Sequence, residues 1–284
     1  MGENMNEIKN LILDEERALY NLKDSIVDNI KFDGPADGES ALKECNNINI
    51  KNCYFNLRYP LWHVNKFELF DSEMTEKCRA AIWYSNNMMI KDCKLNGIKA
   101  VRECHDINIE NTSIESFEFG WKSSNINLKN TDITGEYLFF DSRDIVFNNV
   151  HLKGKYSFQY VKNLSIKDSN LDTKDAFWHA ENVVVENSVL KGEYLGWYSN
   201  NLTLINCKII GTQPLCYCKN LRLIDCTTEA CDLAFEYSEV EANIIGNIES
   251  IKNPLVGTIV VDSVDNVIND DQKYNCKGNV IIKK

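Results

Sequence analysis

The apolar and polar positions of this chain recur with a fixed step. Asn87-Met88-Met89-Ile90-Lys91-Asp92-Cys93-Lys94-Leu95 is followed by Asp106-Ile107-Asn108-Ile109-Glu110-Asn111-Thr112-Ser113-Ile114, and equivalent stretches open at Asn125, Asp144, Asn163, Asn182, Asn201 and Asn220. Each opening lies 19 residues after the one before, which marks stacked structural repeats. Counting the leading Asn or Asp as position one, positions two and four are apolar in nearly every copy, as in Ile107 and Ile109, Leu164 and Ile166, or Val183 and Val185. That alternation predicts a short strand with one buried face. Position six is Asn or Asp in every copy, among them Asn52, Asp92, Asn111, Asn149, Asn187 and Asp225. Both residue types tolerate left-handed backbone and bond their own main chain, so they predict a corner. Position nine is apolar again, and glycines at position eleven (Gly97, Gly135, Gly154, Gly192, Gly211) predict a second corner.

Strand, corner, strand, corner and strand within 19 residues make one coil of a parallel β-solenoid. The left-handed hexapeptide and the pentapeptide versions need repeats of six and five, and this step suits neither. The expectation is an all-β fold, a single-stranded right-handed parallel β-helix (solenoid) of 19-residue coils with short terminal caps. It forms one domain over residues 1–284, with coils from about 17 to 269, a partly helical N-terminal cap over 1–20 and a C-terminal tail over 265–284. Lys66 opens a weaker copy, and its step of 21 to Asn87 places two extra residues near Glu76 to Arg79.

The second half of each coil carries the candidate chemistry. Position sixteen holds every tryptophan (Trp62, Trp83, Trp121, Trp178, Trp197), and position seventeen reads Glu44, His63, Tyr84, Glu103, Lys122, Asp141, Tyr160, His179, Tyr198 and Tyr217. Simple strand alternation puts fourteen, sixteen and eighteen inside and thirteen, fifteen and seventeen outside. The tryptophans then form an interior stack. Position fifteen objects, because Leu61, Val101, Phe139, Phe158, Phe177 and Leu215 are all apolar. Either a bulge inverts part of the strand or another segment or subunit covers the stripe.

On the alternating reading one long face presents tyrosines, acids and histidine. Candidate catalytic groups are Asp141, Asp175 and His179, two carboxylates and an imidazole of the kind that cleave a glycosidic bond or serve a lyase. Candidate ligand contacts are Glu118, Lys122, Tyr137, Tyr156, Tyr160, Tyr194 and Tyr198, since an aromatic plane with a polar tip suits a sugar ring. Columns of tyrosine and charge also belong to any solvated sheet face, where residues in register stabilise one another.

Composition narrows the partners. A formal charge of −11 disfavours nucleic acid and anionic membranes, both of which attract basic surfaces. Met1 to Leu13 mixes charge into its apolar residues, and no later run approaches a membrane span, so neither a signal peptide nor a membrane segment is indicated and a cytoplasmic location is expected. The eleven cysteines follow the repeat: Cys53, Cys93, Cys207 and Cys226 at position seven, Cys45, Cys104 and Cys218 at position eighteen. They read as reduced core thiols in slots for small side chains. Cys216 and Cys218 alone lack the partners of a zinc site, and no metal or other cofactor is expected.

Several strings outside the periodic pattern carry a family resemblance. Glu16-Arg17-Ala18-Leu19-Tyr20, Gly38-Glu39-Ser40-Ala41-Leu42-Lys43-Glu44, Arg79-Ala80-Ala81-Ile82-Trp83-Tyr84-Ser85, Lys174-Asp175-Ala176-Phe177-Trp178 and Gly192-Glu193-Tyr194-Leu195-Gly196-Trp197-Tyr198-Ser199 resemble the bacterial DUF3737 family. The resemblance runs from about Arg17 to Gly257. It implies a β-helix of the pectin-lyase-like type and no activity, because the family's function is undefined. The polygalacturonase-type strings of that wider superfamily do not occur here in order. Two readings follow. One is a carbohydrate-binding β-helix, with lyase or hydrolase chemistry as its enzymatic form. The other is a non-enzymatic scaffold or homo-oligomer built on the apolar stripe at position fifteen.

Overall fold

Asparagine and aspartate set the geometry of the coils. In the computed structural model, which describes residues 5–283, Asn47, Asn87, Asn125, Asn163 and Asn201 at position one and Asn52, Asp92, Asn111, Asn149 and Asn187 at position six have φ between 51° and 60°. Short polar side chains occupy this left-handed region at little cost. Their amides then join coil to coil. Asn182 Nδ2 donates to Asn163 Oδ1 (3.1 Å) and Asn201 Nδ2 to Asn182 Oδ1 (2.8 Å) at one corner, and Asn206 Nδ2 donates to Asn187 Oδ1 (2.9 Å) at the other.

Between the corners run parallel strands in register, as a buried face demands. Ile48 pairs with Phe67, Phe67 with Met88, Met88 with Ile107 and Ile107 with Ile126. Leu164 likewise pairs with Val183, and Val183 with Leu202. The described residues contain no helix, and the coils form a right-handed parallel β-solenoid. Two compact units divide the chain between residues 143 and 144. The first holds seven rungs, opening with the strands Asn6–Lys9, Lys23–Asp28, Asn46–Lys51, Asn65–Phe70, Asn86–Lys91, His105–Glu110 and Ser124–Glu136. The second holds eight among the described residues, from the strand Arg143–Lys155, which belongs to it from Asp144 onward, to Asn279–Ile282.

Regular stacking starts earlier than the motif does. Asn6–Lys9 pairs with Ser25 to Asp28 and Ile12–Leu13 with Lys31–Phe32, so residues 5–20 of the segment expected to be partly helical are strand and turn, and its first four residues lie outside the described residues. In the expected tail, Asn279–Ile282 pairs with Thr258 to Val261. The turn before it is tied by Asp271, whose carboxylate accepts the backbone N–H groups of Lys273 (2.9 Å), Tyr274 (3.1 Å) and Cys276 (3.1 Å). Those N–H groups hold its pKa down to about 2.

Positions seven and eighteen do more than fill space. Ser72 Oγ accepts the N–H of Cys53 in the neighbouring coil (3.0 Å) and donates to Phe70 O (2.6 Å). Ser123 Oγ accepts the N–H of Cys104 (3.1 Å), and Cys104 Sγ donates to Ile82 O (3.4 Å). An inward Ser, Thr or Cys thus satisfies backbone groups at a buried corner, each bond contributing about 1 kcal/mol. Burial pushes the thiols up, Cys53 and Cys93 to about 11 and Cys78 and Cys104 to about 12, and no cysteine is in a disulfide.

The second half of the coil departs from simple alternation. Leu61, Ile82, Val101, Phe139, Phe158, Phe177 and Leu215 at position fifteen are all fully buried, and the tryptophans at position sixteen are half-exposed. The cause is left-handed backbone at position seventeen, joined by position thirteen (Tyr59, Lys99, Tyr137, Tyr156, Tyr194) and, in Phe139, Phe158, Phe177 and Leu215, by position fifteen. Glu44, His63, Tyr84, Glu103, Lys122, Asp141, Tyr160, His179, Tyr198 and Tyr217 have φ between 51° and 62°. A left-handed residue breaks the period of two, so positions sixteen and seventeen both point outward and eighteen turns back in, with Cys216 a buried exception at position sixteen. The interior tryptophan stack expected from alternation is therefore corrected, and the fifteenth-position stripe is core. It is not a surface for a second subunit.

Candidate functional site

Outward placement of positions sixteen and seventeen creates two aromatic files. In the second unit Tyr160, His179, Tyr198 and Tyr217 stack face to face, with centroids 5.0, 5.1 and 4.7 Å apart and interplanar angles of 3°, 7° and 13°. Tyr237 and Tyr274 continue the file at tilted and edge-on angles, 5.7 and 4.6 Å further on. Beside it Trp178 stacks on Trp197 (5.7 Å, 7°). Each indole bonds a backbone carbonyl: Trp178 Nε1 donates to Tyr194 O (2.9 Å) and Trp197 Nε1 to Gln213 O (2.8 Å). The rings therefore cover one another's faces and present their edges to water. Tyr160 and Tyr198 remain nearly half exposed, at 47% and 45%. Burial and the Glu236 carboxylate push the Tyr217 hydroxyl up to about 12, so it stays a donor.

In the first unit cations interleave with the rings. Lys43 Nζ lies 4.0 Å from the Trp62 centroid, Trp62 stacks on Trp83 (5.7 Å, 14°), and Arg102 Cζ lies 5.3 Å from Trp121. These contacts are cation–π in kind. Among the described residues the buried indole N–H groups of Trp62 and Trp83 have no hydrogen-bond partner, and Arg102 Nη1 has only the Glu118 carboxylate at 3.8 Å.

The sequence-predicted residues are distributed as follows. Asp141, Glu118, Lys122 and Tyr137 belong to the first unit, and Asp175, His179, Tyr156, Tyr160, Tyr194 and Tyr198 to the second. Asp141 and Lys122 are exposed, and Tyr137 is 40% exposed. Glu118 pairs with Lys99 at 3.3 Å. His179 is sandwiched between Tyr160 and Tyr198, and among the described residues its ring nitrogens have no carboxylate partner. Asp175 is buried, and desolvation raises its pKa against the pull of Lys174. Tyr194 packs edge-on against Trp197 (5.3 Å, 75°) beneath Lys174 Nζ (5.3 Å). Tyr156 is half-buried under Lys155 Nζ (5.8 Å). The second unit thus brings Tyr160, His179 and Tyr198 into one file. No group of three or more His, Cys, Asp or Glu among the described residues is arranged to hold a metal, and no helix is long and apolar enough to cross a membrane.

Alternation alone missed the tryptophans as surface residues. The signal that finds them is the unbroken apolar run at position fifteen, which fits only an inward column.

Stacked parallel coils with aromatic files on their outer surface define a β-solenoid protein. The sequence matches the family described as a protein of unknown function (DUF3737) over residues 6–282, and the chain belongs to that family. Among curated proteins none matches. Solved structures give distant likenesses. PfbA, a surface adhesin of Streptococcus pneumoniae, is 11% identical with a TM-score of 0.32, covering 89% of this chain and 71% of PfbA. Tailspike protein 3 of bacteriophage CBA120 is 10% identical with a TM-score of 0.24, covering 97% of this chain and 51% of the tailspike. QnrB1, a plasmid-mediated fluoroquinolone resistance protein, is 13% identical with a TM-score of 0.17, covering 84% and 92%. Likenesses this distant carry no argument about what this chain binds or does.

Proposed function

We propose that this protein is a non-enzymatic binding scaffold that engages a carbohydrate-like ligand through the exposed edges of the aromatic file in its second unit. The observation that carries this reading is the stack Tyr160–His179–Tyr198–Tyr217, with ring faces occupied by one another and edges turned to solvent. Rings whose centroids step by 4.7 to 5.1 Å carry phenol hydroxyls and an imidazole in one row, which suits a ligand with regularly spaced hydroxyls. Acid–base chemistry is less well supported. A general base works with an orienting partner and a reachable proton, and His179 has a ring on each side instead.

The test is a panel of oligosaccharides examined by glycan array and calorimetry, with product analysis on every binder. Saturable binding without turnover, lost in Tyr198→Ala, is the expected result. Release of product that disappears in His179→Ala overturns the non-enzymatic reading. A flat response across the panel overturns the ligand class.

A further inference from the structure

Three departures from the repeat coincide in the first unit. The first is the two-residue insertion between Lys66 and Asn87 noted above. The second is at position twelve, which carries charge in Arg58, Glu136, Lys155, Lys174 and Glu193 but is Ile98 and then Phe117 in two successive coils. Lys99 N–H donates to Phe117 O (2.8 Å), so those coils are adjacent. Phe117 is 54% exposed, the most exposed aromatic side chain in the unit. The third is charge. Glu110 is matched by Lys91 (3.6 Å) and Lys129 (3.8 Å), and Glu118 by Lys99 (3.3 Å). Glu76 and Glu115 have no cationic or hydrogen-bonding partner for their carboxylates among the described residues.

Glu76, Ile98, Glu115 and Phe117 line one pocket of about 350 Å³, with Gly97 and Ser116 in its wall. Its wall is fixed. Cys78 N–H donates to Thr75 O (3.0 Å), and Cys78 Sγ donates to Phe55 O (3.0 Å), which anchors the inserted turn in the core. The turn closes over Gly97, at φ 99°, where a Cβ would stand 3.1 Å from Glu76 O and 3.2 Å from Thr75 O. Ser116 Oγ donates to Gly97 O (2.7 Å) and accepts Ala100 N–H (3.0 Å) from the other side. Lys77, on the same turn, acts on Asp33 and does not line the pocket.

We infer that this pocket binds a small organic cation, an alkylammonium or guanidinium compound with an apolar body. Ile98 and the Phe117 ring supply an apolar floor and an open π face. Glu76 and Glu115 supply uncompensated negative charge at its rim. A cation over an aromatic face beside carboxylates gains from both, and a neutral ligand gains only from the floor. The site is independent of the aromatic file in the second unit, so either can fail alone.

The probes are phenethylammonium and its neutral analogue 2-phenylethanol, titrated into the full chain by ligand-observed NMR and calorimetry. The ammonium compound is expected to bind at least about tenfold more tightly, a difference of about 1.4 kcal/mol. The double variant Glu76→Gln, Glu115→Gln is expected to bring that ratio close to one, and Phe117→Ala to weaken both ligands. All three side chains are exposed, so the melting temperature is expected to hold and serves as the folding control. Equal affinity for the two probes, affinity unchanged in these variants, or no saturable binding up to about 10 mM overturns the inference.

Discussion

Exchange of the buried and outward aromatic columns can be tested with two adjacent residues. Phe177 is fully buried and stacks on Phe158 at 5.1 Å and 9°. Truncation to alanine removes a ring from a packed interior, and Phe→Ala changes of this kind cost about 3–5 kcal/mol. Trp178, one residue on, stacks on Trp197 and donates one hydrogen bond to Tyr194 O. Its column already accepts Lys43 and Arg102 in other coils. Trp178→Arg loses a ring pair of about 0.5–1.5 kcal/mol and a hydrogen bond of about 1 kcal/mol. It regains a guanidinium over the Trp197 ring, of the kind Arg102 makes over Trp121, contributing about 0.5–1 kcal/mol. The expected cost of Trp178→Arg is about 1 kcal/mol, well below that of Phe177→Ala. Urea unfolding followed by far-ultraviolet circular dichroism measures both as shifts in midpoint, compared at equal slope. If Trp178→Arg proves the more damaging change, position sixteen faces inward and the account of position seventeen as the inverting residue fails.

Three further outcomes follow from corners, thiols and a buried acid. Asn182 accepts from Asn201 and donates to Asn163 with φ 56°, so Asn182→Ala is expected to cost about 1–2 kcal/mol. Asn182→Gly relieves the backbone part and costs less, and urea midpoints that rank the two the other way refute the ladder account. Ten cysteines are buried and Cys276 is half-buried; titration with a thiol reagent should therefore modify at most one of the eleven in the native protein and all of them in denaturant. Burial holds the Asp175 carboxyl above its ordinary 3.8, so the folded state keeps a proton that the unfolded chain gives up, and ionisation opposes folding as pH rises above that value. Asp175→Asn is expected to raise the melting temperature at pH 7 and to lose that advantage near pH 3; an advantage that persists at pH 3 would show another cause.

Coil geometry was legible because the residues at its corners declare their backbone. Asn and Asp at positions one and six state a left-handed φ in their side chains, and Ile109, Leu128 and Ile166 are buried as their alternation requires. Position seventeen makes no such statement. Its left-handed φ is carried by Tyr84, Glu103, Lys122 and Tyr198, residue types with no intrinsic preference for it, held there by the bonding of the neighbouring coil. The first rung failed for a related reason. Asn6–Lys9 lacks the motif and joins the sheet through backbone hydrogen bonds to the following coil, which do not depend on side-chain identity. The pocket at Phe117 was half legible: the insertion near Glu76 showed as a step of 21, but its contact with Ile98 and Phe117 depends on how the turn folds over Gly97.

The aromatic run at position seventeen is not required by the coil. Glu44, Glu103, Lys122 and Asp141 occupy the same position with the same left-handed backbone, so an exposed corner there tolerates any side chain. A run of Tyr160, His179, Tyr198 and Tyr217 therefore supplies something beyond the turn, either cohesion between neighbouring rings or contact with a ligand. Tyr198→Phe separates these. The ring is kept, so stacking on His179 and Tyr217 is unchanged, and removing an exposed hydroxyl is expected to move stability by less than about 0.5 kcal/mol. If the edges bind a ligand, the same change removes one hydrogen bond to it and weakens affinity by about three- to tenfold. Intact affinity in Tyr198→Phe, with affinity lost in Tyr198→Ala, would assign the file to cohesion and move the contact elsewhere.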